Sequence, residues 1–160
     1  MKKETNILIL GVGNLLLKDE GVGIHVIQAL EKETLPSNVT LMDGGTGGLH
    51  LISWIQDYDR IILIDATLDN NPPGTIRLLY PRYATDFPPL MSAHEIGLRD
   101  MIEAMILTEK LPEIQLIVVS VADISEVGME LSPAVEAILP EIVGKIKALL
   151  SITGPYSSNI

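Results

Sequence analysis

The sequence contains no cysteine, few aromatic residues and few basic residues, and each shortage excludes a class of protein. Without cysteine the chain cannot form a disulfide, a thiolate metal site or a cysteine nucleophile, which suits the reducing cytoplasm. Lys and Arg number 11 against 21 Asp and Glu, so the net charge is −10 and the clustered cations needed to bind phosphates are lacking. No apolar run approaches the roughly 18 residues of a membrane span. We therefore expect a cytoplasmic protein with neither nucleic-acid nor membrane partners.

What the chain has in quantity is Ile, Leu and Val, arranged in short runs between glycines, prolines and acidic residues. Continuously apolar runs of this length are typical of strands covered on both faces. They predict strands at Ile7–Leu10, Val39–Met42, Ile61–Ile64 and Ile114–Val121, with an alternating edge strand at Thr75–Tyr80. The length is that of one domain, so we expect residues 1–160 to form a single unit with a frayed tail over about residues 152–160.

Between these strands, apolar residues recur at helical spacing. The predicted helices are Gly21–Glu33, one capped by Thr46, one opened by a capping box at Ser92–Glu95 and ending near Leu107, and one opened by Ser132 that Pro140 should kink or split. Strands that alternate with helices form parallel sheets with right-handed crossovers. The fold class predicted is therefore α/β, a three-layer α/β/α domain with a mostly parallel, twisted sheet of about five strands flanked by helices.

Acidic residues follow three of the predicted strands. They are carried by the loop from Gly11 to Glu20, by Asp43 and by Asp65. Parallel strands place their carboxyl ends at one edge of the sheet, and open α/β sheets bind ligands outside that edge. We therefore expect these three acidic contributions to point towards one rim.

The glycine loop gives only a weak indication of nucleotide binding. Leu16 stands where a dinucleotide-binding fingerprint has its third glycine, and no Lys-Ser or Lys-Thr pair completes a phosphate-binding loop. A tight turn after a buried strand explains Gly11 and Gly13 equally well. A nucleotide- or metal-binding module that uses this loop stays open as an alternative.

Glu20, Asp65 and His94 are the candidate metal ligands, although each has a simpler explanation. Glu20 could serve only to stabilise the start of a helix, where an acidic side chain contributes up to about 1 kcal/mol. Asp19 could do the same as an N-cap. Asp65 should be partly buried, and a buried carboxylate needs a metal, a cation or N–H donors. The capping box makes His94 the second residue of a helix, where the ring stays neutral, whereas His25 and His50 lie within helices.

One Glu, one Asp and one neutral His suit a divalent transition ion with open positions, without specifying the metal. By themselves, these residues predict a metal-dependent hydrolase of a small substrate.

Four motifs, in this order and spacing, resemble those of the hydrogenase maturation endopeptidases. They are Leu10-Gly11-Val12-Gly13-Asn14 with Asp19-Glu20-Gly21-Val22-Gly23, Asp43-Gly44-Gly45-Thr46, Ile64-Asp65-Ala66, and Ser92-Ala93-His94-Glu95-Ile96-Gly97-Leu98. The resemblance runs from residue 6 to about residue 100 and continues more weakly to about residue 150. One departure is Val121-Ala122-Asp123-Ile124, where many relatives have a Gly-x-x-Pro-like turn.

The resemblance implies an α/β/α domain and one specific cleavage. Enzymes of this family remove a short C-terminal extension from the large-subunit precursor of a [NiFe] hydrogenase, after nickel has been loaded. Carried over, the metal-contacting residues would be Glu20, Asp65 and His94, and the metal would be the nickel of the substrate. Asp43 would act in recognition or catalysis, and Gly44, Gly45 and Thr46 would line the cleft. The precursor is then the implied partner, no organic cofactor is implied, and nothing requires more than a monomer.

Overall fold

Strands and helices alternate along the chain in the structure, a computed structural model that describes residues 4–45, 55–88, 98–107, 112–122 and 127–152. The strands are β1 (Ile7–Val12), β2 (Val39–Gly45), β3 (Arg60–Thr67), β4 (Ile76–Leu79) and β5 (Glu113–Ser120). The helices are α1 (Val22–Leu30), α2 (Leu98–Leu107), α3 (Pro133–Glu136) and α4 (Leu139–Leu150), with 3-10 turns at Lys18–Gly21 and Ala84–Asp86. The predicted helix capped by Thr46 and the predicted capping box lie outside the described residues, except for Ile55.

The five strands form one sheet in the order β2-β1-β3-β5-β4. Strands β2, β1, β3 and β5 run parallel to one another, and β4 pairs antiparallel with β5 at one edge. Both β1 and β3 are buried along their whole length, which explains why their sequences are apolar without alternation. The prediction of a mostly parallel sheet with an edge strand within Thr75–Tyr80 is confirmed.

Two apolar layers cover the two faces of the sheet. On one face α1 and α4 pack against β1 and β3, and on the other face α2 contributes Met105. Each fully buried aliphatic side chain of these layers contributes about 1.5–3 kcal/mol relative to its exposed state. The three-layer α/β/α prediction is therefore confirmed. Among the described residues, none of the helices is both long and apolar enough to cross a membrane.

Three strands, β1, β2 and β3, are longer than predicted, and the extensions of β2 and β3 contain candidate site residues. β2 continues through Asp43 to Gly45, and β3 continues past Asp65 to Thr67. The prediction that β3 ends at Asp65 was wrong because Asp65, Ala66 and Thr67 all pair with β5. Backbone pairing does not depend on whether the side chain is apolar, so a polar residue alone does not mark the end of a strand.

The C-terminal helical region is divided, as Pro140 predicted. α3 ends at Glu136 and α4 begins at Leu139, so that the proline occupies the first turn of α4, where its missing N–H costs nothing. α1 is shorter than predicted. It follows the Lys18–Gly21 turn and ends at Leu30.

Candidate functional site

Asp65 lies within β3, two residues before the strand ends, and its side chain is fully buried. Its Oδ1 accepts a hydrogen bond of 2.7 Å from the backbone N–H of Ala66. Side chains alternate along a strand, so Asp65 shares the sheet face of Ile61 and Leu63, which is the face that α2 covers. A carboxylate was expected to be only partly buried here, and the full burial strengthens its need for a positively charged or N–H partner.

Glu20 lies on the four-residue 3-10 turn Lys18–Gly21, which directly precedes α1. The side chain is half-buried. Cα atoms of this turn lie within 8 Å of Cα atoms of β3, the strand that carries Asp65. The structure thus brings the backbone that carries Glu20 and the strand that carries Asp65 to the same edge of the sheet.

The glycines of the opening loop allow this approach. Gly13 has a φ of +136°, and a Cβ added there would collide with the carbonyl oxygen of Glu20. A Cβ added at Gly23 would lie 2.5 Å from the Ile64 carbonyl oxygen and 2.7 Å from that of Val12. The loop therefore closes on its own backbone, and α1 starts in direct contact with β1 and β3. The space beside Gly13 is therefore filled by the backbone of Glu20, and this close approach is enough to explain the glycine.

Asp43 is exposed at the carboxyl end of β2. Its Oδ1 accepts a 2.8 Å hydrogen bond from the N–H of Gly45, whose φ of +50° shapes the end of the strand. Asp43 is paired with Gly11, and Gly11 with Ile64, so two strand spacings (about 10 Å) separate it from β3. This register also places Asp43 on the α1 face, opposite to Asp65. The two carboxylates share an edge of the sheet but belong to different faces.

Asp19, which sequence reasoning weighed only as an N-cap, has another role. It does not cap α1, which begins without a side-chain cap. Its side chain is fully buried and accepts two hydrogen bonds of 2.7 Å, from the N–H and the hydroxyl of Ser132. These partners are 113 positions apart in the chain. The only sequence signal was a second acid beside Glu20, and that signal does not name the distant serine.

His94 and Thr46 lie outside the described residues, as does Asp123. Among the ranges that the structure describes, no three His, Asp or Glu side chains are grouped closely enough to hold one ion. Glu20 and Asp65 supply two carboxylates at one edge, a pair of oxygen ligands suited to a divalent cation. His25, by contrast, places its Nε2 3.1 Å from the carbonyl oxygen of Met129, on the side of α1 that faces the C-terminal region.

The fold and this edge show the class of protein: a three-layer α/β protein with carboxylates at the carboxyl edge of its parallel strands. Comparisons with known proteins then define the family. A family model described as hydrogenase maturation protease, HycI, matches residues 24–149. The hydrogenase 2 maturation protease of Escherichia coli K12 is 34% identical over 151 residues, which cover 92% of each chain.

Solved structures agree with this match. The hydrogenase maturating endopeptidase HybD from E. coli superposes with a TM-score of 0.81 at 35% identity, covering 91% of each chain. The [NiFe] hydrogenase maturation protease HybD from Thermococcus kodakarensis has a TM-score of 0.74 at 30% identity, covering 91% of this chain and 99% of its own.

The chain belongs to the hydrogenase maturation protease family. It is accordingly a peptidase. Its relatives are hydrogenase maturation proteases, which is consistent with C-terminal processing of a hydrogenase large subunit. The resemblance read from the four motifs is confirmed, and neither the nucleotide-binding module nor the small-substrate hydrolase is favoured.

Proposed function

We propose that this protein removes the C-terminal extension from the large-subunit precursor of a [NiFe] hydrogenase, in the cytoplasm, once nickel has been loaded into that precursor. Membership of the hydrogenase maturation protease family is the observation that carries this proposal. The backbone approach between the Glu20 turn and the end of β3 supports it, because it gathers oxygen ligands at one edge. The nickel belongs to the substrate, so the protease needs no metal of its own.

In this proposal the substrate's nickel is held by Glu20, Asp65 and His94. The 2.7 Å hydrogen bond from Ala66 fixes the orientation of the Asp65 carboxylate, and the buried strand around it excludes water. Glu20 is half-buried on its turn, so part of its side chain remains accessible to a docked protein. A metal held in this way polarises a bound water or the scissile carbonyl, which is what makes hydrolysis of the peptide bond possible.

Asp43 has the role of recognising the precursor. It is exposed, it lies about 10 Å from β3 across two strand spacings, and it faces away from Asp65, so it is poorly placed to be a further ligand of the same ion. Gly44 and Gly45 continue β2 beside it and, with Thr46, would line the cleft that takes the extended chain.

The test is to incubate the purified protein with nickel-loaded precursors of several hydrogenases and to measure their intact mass. We expect one precursor to lose a C-terminal peptide, and the nickel-free form of the same precursor to remain whole. Glu20→Gln should slow the cleavage to a low but measurable residual rate, whereas Glu31→Gln, a change of an exposed glutamate at the far end of α1, should leave it unchanged.

Failure to shorten any nickel-loaded precursor would refute the proposed function. Cleavage of nickel-free precursor at the same rate would refute the role given to the metal while leaving the peptidase activity intact.

A further inference from the structure

The Asp19 carboxylate has no part in the function proposed above, although it is fully buried and its neighbour in the chain is Glu20. A buried carboxylate is costly unless its oxygens are hydrogen-bonded, and here both oxygens accept. Oδ1 takes the N–H of Ser132 and Oδ2 takes its hydroxyl, each at 2.7 Å. Ser132 directly precedes α3, so this pair of bonds ties the Glu20 turn to the start of the C-terminal helices.

The same two segments are joined at further points. The N–H of Lys18 donates to the carbonyl oxygen of Gly128 at 2.8 Å, and the N–H of Gly128 donates to that of Leu16 at 2.7 Å. This forms a short parallel bridge between Leu17 and Gly128. Lys18 has a φ of +51°, an uncommon conformation for a residue with a Cβ. Hydrogen bonds from residues 127–132 therefore hold the conformation of residues 16–19, which the local backbone preferences of those residues do not explain alone.

We propose that Asp19 is a positioning residue, which acts through Ser132 to hold the Lys18–Gly21 turn so that Glu20 points to the rim. This inference rests on the proposed function, because it assumes that Glu20 contacts the substrate's metal. Successive residues of a 3-10 helix are about 120° apart around its axis. On such a turn, fixing Asp19 inward fixes the direction in which Glu20 leaves the turn, and the structure shows Asp19 fully buried and Glu20 half-buried.

Three variants remove the Asp19–Ser132 hydrogen bonds to different extents. Asp19→Ala removes both hydrogen bonds. Ser132→Ala removes only the hydroxyl donor and leaves the backbone N–H in place. Asp19→Asn keeps the shape and can keep both bonds, since its oxygen accepts the Ser132 N–H and its NH₂ group donates to the Ser132 hydroxyl. Asp57→Asn, at an exposed position, is the matched control.

The first readout is kinetic and uses the nickel-loaded precursor, at a temperature where circular dichroism shows every variant folded. Loss of a residue that orients a metal contact typically costs about 10–100-fold in activity, and we expect this loss in kcat for Asp19→Ala with KM changed less than about twofold. Ser132→Ala should show a smaller loss. Asp19→Asn should restore most of kcat, and Asp57→Asn should match the wild type.

A double-mutant cycle separates positioning from general destabilisation. If Asp19 acts only through Glu20, then Asp19→Ala added to Glu20→Gln causes no further loss of activity, because the contact is already absent. A loss that multiplies in the Glu20→Gln background overturns the inference, as does a full kcat in Asp19→Ala.

Hydrogen exchange in the free protein supplies a readout that does not depend on activity. Asp19→Ala should speed amide exchange in peptides that cover residues 17–21 by about tenfold or more, with β1 and β3 unchanged, whereas Asp57→Asn should not. Unchanged exchange in Asp19→Ala overturns the inference. If the wild type cleaves no precursor, the proposed function fails, and so does the effect of Asp19 on cleavage. The exchange result still decides whether the Asp19–Ser132 hydrogen bonds hold the turn.

Discussion

The close contact of Gly23 with the sheet gives the most direct test of how the edge that carries the candidate site is assembled. Gly23 is the second residue of α1, and an added Cβ would lie 2.5 Å from the carbonyl oxygen of Ile64, 2.7 Å from that of Val12 and 2.9 Å from the Val12 nitrogen. All three atoms belong to the backbone of the central strands β1 and β3, so they cannot rotate away as a side chain would. Gly23→Ala must therefore move α1.

The size of the effect follows from these distances. To restore ordinary contacts, α1 has to retreat from the sheet by about 1 Å. Inserting a methyl group into packed surroundings costs about 1–3 kcal/mol, and alanine's helix propensity returns at most about 1 kcal/mol near a helix end. Because the obstructing atoms are immobile, we expect a net loss of about 2 kcal/mol in the free energy of unfolding.

Urea denaturation at neutral pH measures this loss. With an unfolding slope of about 2 kcal/mol per molar urea, the midpoint should fall by about 1 M. Gly144→Ala is the matched control, since Gly144 is an exposed helical glycine in α4 whose added Cβ would meet nothing within 4 Å. That change should raise stability by up to about 1 kcal/mol. If Gly23→Ala is as stable as Gly144→Ala, the packing argument for the loop is refuted.

Two further predictions concern residues away from the site. Arg60→Lys should lower the free energy of unfolding by about 1–3 kcal/mol. The buried Arg60 donates from Nε to Gln115 at 2.7 Å and from Nη2 to the Leu149 carbonyl at 2.9 Å, and one lysine nitrogen cannot replace both. An unchanged urea midpoint would contradict this. Burial raises the pKa of Asp69, but hydrogen bonds from Asn71 and the charge of Arg77 help to outweigh it, so that pKa lies below its ordinary 3.8. Asp69→Asn should therefore destabilise the protein near neutral pH, and the difference in thermal midpoint should shrink as the pH falls below about 3.8, because the wild type then loses the contribution of the charged form; a difference that is constant with pH would refute the sign.

The sequence determined most of the fold through its hydrophobic pattern. Short aliphatic runs predicted the four parallel strands, the alternating stretch predicted the edge strand, and Pro140 predicted the break between α3 and α4. These signals are local: a strand buried on both faces must be apolar, and proline cannot donate a backbone hydrogen bond wherever it lies. Strand ends were predicted less well, because pairing with a neighbour carried β2 and β3 beyond their apolar runs.

The candidate site divides in the same way. The four motifs and their order were sufficient to indicate the family, and the family is confirmed. The sequence also marked Glu20 and Asp65 by their positions after strands, although their roles stay proposals and His94 lies outside the described residues.

Only the tertiary structure decided how the edge is assembled. The register put Asp43 and Asp65 on opposite faces, since alternation along each strand has a meaning only once the strands are aligned. The contact of Gly23 with Ile64 explains the glycines as places of close backbone approach. The bonds between Asp19 and Ser132 span 113 positions, and no local pattern specifies a partner at that distance. Composition and periodicity determined which elements form, whereas contacts between distant segments decided where their polar groups meet.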